Sequence, residues 1–190
     1  MNWREHKAGG ALFGTVTAVF LTTNQAVEAH PLTVILPVLV SSYAAMLPDL
    51  DKKGTHASNL MPHLADKLGN LGHRTLLHSL LIPTVNVLLV TIVALICNFF
   101  NSLITALILT IGYGLSMGWY SHLAYDIITP MGCPLLGPFI SDRWSIYSLN
   151  NNRDGKWVLL VTVILEILPL ITLIRFLIIN LMPAIPFWGG

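Results

Sequence analysis

Five stretches of this chain stay apolar for close to the 20 residues that a helix needs to cross a bilayer: roughly 8–24, 31–47, 79–98, 103–125 and 157–180. A backbone surrounded by lipid must satisfy its polar groups within its own segment, and helices do this. The expected fold is therefore all-α, a polytopic membrane helical bundle of about five transmembrane helices forming a single domain over 1–190. Composition agrees, with 54% hydrophobic and 10% charged residues, where a soluble domain carries about 25% charged. Such a chain is too apolar for disorder, and a net charge of +1 lacks the basic excess that nucleic-acid binding requires. Cys97 and Cys133 form no CxxC pair, so neither a disulfide framework nor a thiolate zinc site is indicated.

The breaks between the stretches set the topology. Asn98–Ser102 is a tight turn, whereas 48–74 and 129–156 are longer loops, the second punctuated by Pro130, Pro134 and Pro138. Arg4 and Lys7 precede the first helix; Lys52, Lys53, Lys67 and Arg74 fall in one loop, and Arg143, Arg153 and Lys156 in the other. With the N-terminus inside, all of these face the cytoplasm and the opposite loops carry no Lys or Arg, as the positive-inside rule demands. The expected location is the inner (cytoplasmic) membrane. Arg175, inside the fifth stretch, would snorkel outward.

Seven histidines and nine acidic residues are then out of keeping with so apolar a chain. His6 precedes the first helix. Asp49 and Asp51 end the second, His73 and His78 begin the third, and His122 and Asp126 end the fourth. In the topology above, these four helix ends share the cytoplasmic membrane depth. His122 and Asp126, spaced i, i+4, share a helix face and can grip one ion. His73 and His78 lie about 140° apart around a helix, so both ligate only if one precedes it. After Pro48, one of Asp49 and Asp51 can ligate while the other orients an imidazole. Imidazole and carboxylate without thiolate suit zinc, with manganese or iron as alternatives. Ionisable groups within or beside membrane segments are costly and tend to mark function. His30, His56 and His63 have no such placement.

These motifs carry a resemblance. His6, Leu47-Pro48-Asp49-Leu50-Asp51, the run GHRTLLHSLL at 72–81 and the run GWYSHLAYDIITPMGCPLLGPF at 118–139 resemble the YdjM-like family of inner-membrane, metal-dependent hydrolases. The likeness covers roughly 6–150 and implies metal-dependent hydrolysis without fixing a substrate. The order His6, Asp49 or Asp51, His73 or His78, then His122 with Asp126 is also similar to the zinc-dependent phospholipase C and P1 nuclease group. That group completes a three-metal cluster with further downstream histidines, whereas this chain has none after His122, which implies a reduced site of one or two ions.

The expected function is a hydrolase. A divalent metal lowers the pKa of water and neutralises charge on a phosphoryl or acyl oxygen. Asp49 or Asp51, when not a ligand, would act as general base, and Arg74 would clamp a phosphate through a bidentate pair. The membrane setting favours a lipid or lipid-linked phosphoester, with the apolar Pro/Gly-rich segment 129–139 as a flap or lid. Glu166 lies mid-helix in the fifth stretch. The alternatives are a transporter, whose site normally lies near the bilayer midplane within repeated halves, and a scaffold with structural zinc, whose site is normally a closed four-ligand cage.

Overall fold

The computed structural model describes residues 3–24, 26–28, 30–70, 72, 74–98, 101–140 and 142–145. His73, Glu166, Arg175 and the fifth apolar stretch lie outside the described residues. Within them the chain is helical: α1 (Trp3–Thr23), α2 (Pro31–Ala44), a 3-10 turn (Leu47–Asp51), α3 (His56–Leu60), α4 (Pro62–Gly69), α5 (Leu81–Asn98) and α6 (Ser102–Ile127). No β-strand forms among the described residues; there is an isolated bridge between Cys133 and Trp144.

Among the described residues, three helices are long and apolar enough to cross a membrane: Pro31–Asp51 (α2 with its 3-10 turn), α5 and α6. The 18 residues of α5 extend about 27 Å, close to the hydrocarbon thickness. α1 is longer but not in this class, because Arg4, Glu5 and Lys7 occupy its first turns and Gly and Thr dilute the rest. It nonetheless turns Val16 and Phe20 outward.

Small residues bring the helices together, as in membrane bundles where close van der Waals approach replaces the hydrophobic drive. α2 lies against both α1 and α6. A side chain at Gly14 of α1 would come 2.6 Å from Pro37 O, and one at Gly118 of α6 would strike Ser41 O, so neither position tolerates a Cβ without movement. α5 and α6 form a hairpin capped by Asn101, whose Oδ1 accepts Ile104 N–H at 3.0 Å. Polar bridges clip its two arms: Asn86 Nδ2 donates to Gly112 O (2.9 Å) and Ser116 Oγ (2.7 Å), and the Thr91 and Tyr113 hydroxyls lie 2.9 Å apart.

The polar 48–74 loop is more ordered than its sequence pattern indicated. Thr55 caps α3 by accepting Ser58 N–H, Pro62 opens α4, and Met46, Leu50, Ala57 and Leu77 close into a small apolar core. α5 begins at Leu81 rather than 79, so His78 belongs to the irregular segment before it. There Thr75 Oγ1 donates to Gly72 O and Ser79 Oγ to Leu76 O, which are turn contacts and not helix caps. The result places the start of α1, the turn after α2, the approach to α5 and the end of α6 at one end of the bundle.

Candidate metal centre

Those four pieces of backbone bring His6, Asp49, Asp51, Arg74, His78, His122 and Asp126 together. His6, Asp51, His78, His122 and Asp126 are buried, and Asp49 keeps 26% of its side chain exposed. Asp126 lies at the centre. Its Oδ2 is 3.6 Å from His122 Nε2 and 3.7 Å from His78 Nε2, and its Oδ1 is 4.0 Å from His6 Nε2. Asp49 Oδ1 lies 3.8 Å from His78 Nε2. The His6 and His122 rings stack at 4.0 Å between centroids, and His78 meets His122 edge-on at 5.1 Å.

These separations are too long for hydrogen bonds. Ligand atoms around a tetrahedral zinc, each about 2.0–2.1 Å from the ion, stand about 3.3–3.4 Å apart. The observed 3.6–4.0 Å spacings lie close to that value. Among the described residues the donors fall into two overlapping groups, His6–His122–Asp126 and Asp49–His78–His122, and within each group the ligand atoms lie within 4.8 Å of one another. Both share His122. Its Nδ1 lies 2.7 Å from Ala45 O; a carbonyl only accepts, so Nδ1 carries the proton and Nε2 presents its lone pair inward. That buried Nε2 has no hydrogen-bond partner, although an unsatisfied buried polar atom is costly. The residues present therefore fit a divalent ion, and the chemistry of the donor set restricts it to a metal that accepts imidazole and carboxylate.

Asp51 plays a different part. Its Oδ2 lies 3.3 Å from His78 Nδ1 and accepts the Arg74 backbone N–H at 3.0 Å. It thus orients the imidazole from behind while Nε2 faces Asp49 and Asp126. Burial opposes charge on His78, but the adjacent Asp49 and Asp51 carboxylates outweigh it and raise its pKa above the ordinary imidazole value. A divalent ion would take the place of that proton.

Arg74 adopts φ +58°, a conformation uncommon outside glycine. Its side chain is 10% exposed; Nη2 lies 3.2 Å from Asp126 Oδ2 and Nη1 donates to Gly132 O. The guanidinium is therefore engaged with the centre's own carboxylate, which the sequence did not indicate, and Nε remains without a hydrogen bond.

A family model described as YdjM inner membrane protein matches residues 1–187. The chain belongs to the YdjM inner membrane protein family. No curated protein and no solved structure matches it.

Several parts of this YdjM-family site escaped the sequence reading. Cys133 is fully buried and donates its thiol to His78 O at 2.8 Å; burial, reinforced by nearby Asp126, pushes its pKa up to about 12, so it holds the His78 backbone as a thiol. Glu5, beside His6 in the chain and absent from the sequence reading, is also buried. The residues set aside earlier have other positions: His30 caps α2, His56 stacks on Trp3 at 4.4 Å, and His63 is exposed on α4. The apolar segment after α6 is tied to the centre through Cys133, Gly132 and a bond from Leu80 N–H to Leu135 O, while Met131, Leu136, Phe139 and Ile140 remain exposed.

Proposed function

We propose that this YdjM-family chain is a membrane-embedded, divalent-metal-dependent hydrolase that cleaves a phosphoester of a lipid or lipid-linked substrate. The observation that carries this reading is the buried His6–Asp49–His78–His122–Asp126 cluster, spaced beyond hydrogen-bonding distance and close to ligand spacing. These five residues would hold one or two ions, with zinc the best match to the donors and manganese or iron next. When bound, the ion supplies Lewis acidity and lowers the pKa of water toward neutrality.

The chain's own groups divide the remaining work. Asp51 fixes His78 and the Arg74 backbone. Asp49, partly exposed, can pass a proton to solvent where it is not itself a ligand. Arg74 brings positive charge to the centre beside Asp126, where it can offset charge on a phosphoryl oxygen. The exposed apolar residues of 129–140 favour a substrate held at headgroup depth with its chains in the bilayer. This reading has five spans with the N-terminus inside, α1 crossing despite its charged first turns; membership of an inner membrane family supports the membrane setting, and the concentration of Lys and Arg around the site end of the bundle supports a cytoplasmic-side centre.

The test is hydrolysis by detergent-purified protein supplied with phospholipids or lipid phosphates, before and after chelation and readdition of zinc, manganese or iron. Metal-dependent release of a phosphorylated headgroup or phosphate, absent in His122→Ala, is the expected result. Metal binding with no hydrolysis of any lipid phosphoester would favour a scaffold. Cleavage of a soluble phosphoester alone would move the substrate out of the bilayer.

A further inference from the structure

Two cavities, one between α1 and α2 and one among α2, α3 and α6, are linked through the contact of Lys7 with Tyr43, and no metal donor lines either. The first, about 360 Å³, is lined by Trp3, Arg4, Lys7, Ala8, Ala11 and Ser42. Arg4 and Lys7, spaced i, i+3, project from one face of α1, and Ala8 and Ala11 leave room between them. Each cation is held beside an aromatic ring: Arg4 Cζ lies 5.4 Å from the Trp3 centroid and Lys7 Nζ 4.4 Å from that of Tyr43. Ser42 Oγ donates to Lys7 O at 3.0 Å and fixes this turn of α1 on α2.

The second cavity, about 480 Å³, lies among α2, α3 and α6. Leu39, Tyr43, Met46, Ala57, Leu60 and Leu115 are among its walls, and no charged residue lines it. Tyr43, 56% exposed, links the two: its ring lies under Lys7 Nζ, and the residue also lines the apolar cavity. α2 and α6, which form much of the second cavity, are helices apolar enough to lie within a membrane. Paired cations with interfacial aromatics beside an apolar slot match a molecule with an anionic head and a hydrocarbon chain.

We propose that this surface is a binding site for one anionic phospholipid, its phosphate on Arg4 and Lys7 and an acyl chain in the slot between α2 and α6. The site is distinct from the metal centre, because His6 points into the bundle from the same turn that turns Lys7 outward. Its occupant therefore need not be the substrate, and its existence does not depend on hydrolysis.

Native mass spectrometry of the detergent-purified chain, titrated with dioleoyl phosphatidylglycerol or dioleoyl phosphatidylethanolamine with chelator present, tests this. One phosphatidylglycerol should be retained about tenfold more tightly than phosphatidylethanolamine, and Arg4→Ala/Lys7→Ala should remove most of that preference, whereas Arg4→Lys/Lys7→Arg keeps it. Leu115→Trp, which fills the slot, should weaken the dioleoyl lipid and spare dihexanoyl phosphatidylglycerol. Equal retention of the two lipids by the unmodified chain overturns the proposal without any variant. So does an Arg4→Ala/Lys7→Ala protein of native helicity that binds phosphatidylglycerol as before.

Discussion

Replacing Asp51 by Asn separates a residue that orients a ligand from one that binds metal. Asp51 Oδ2 touches His78 Nδ1 at 3.3 Å and Arg74 N–H at 3.0 Å. The amide keeps the shape and one acceptor oxygen but loses the charge that makes the His78 ring more basic. Loss of such an outer partner weakens metal binding by about 10–100-fold, or about 1.4–2.7 kcal/mol. His122→Ala removes the nitrogen common to both donor groups and should abolish binding. The assay is competition for zinc against a chromogenic chelator at fixed pH, with metal per protein measured by elemental analysis. Asp51→Asn should reach the unmodified chain's stoichiometry at saturating zinc but with the weaker affinity, while His122→Ala stays empty. Unchanged affinity in Asp51→Asn would refute the orienting role. A protein as empty as His122→Ala would make Asp51 a ligand itself.

Arg74→Ala should lower turnover of a lipid phosphoester by about 100-fold, the scale of one lost transition-state donor, with metal content intact; Arg74→Lys should restore little, because an ammonium lacks the planar fork. Gly118→Val drives a side chain into Ser41 O and the Ala45 backbone, so thermal unfolding in detergent should show a loss of about 1–3 kcal/mol. Zinc affinity should fall with it, because Ala45 O holds His122. Reporter fusions at Asn70 and Asn150 should read as cytoplasmic and one at Gly190 as the opposite side; a cytoplasmic reading at Gly190 would remove one of the five spans.

The helical architecture and the polar ends of the apolar stretches could be read because periodicity and segment length are local properties. The i, i+4 spacing of His122 and Asp126 likewise determines which helix face they share. What depended on tertiary packing was not legible. Nothing in LPDLD says which carboxylate faces the donors; the 3-10 turn decides it by directing Asp51 back toward Arg74 N–H. The Cys133 contact with the His78 backbone spans 55 positions and has no spacing signature. α3 and α4 were missed because their apolar residues are too few to set a period, and they are held instead by Thr55, Pro62 and the small core around Leu50. Arg74 read as a free cation because its partner Asp126 lies far along the chain.

The most direct measurement of the central claim is X-ray absorption at the zinc edge on protein loaded with zinc and freed of excess metal. The account predicts a shell of only nitrogen and oxygen at about 2.0–2.1 Å with the outer-shell scattering of imidazole, lost in His122→Ala. A chain that retains no divalent metal, or one whose zinc shows sulfur at about 2.3 Å, would contradict it.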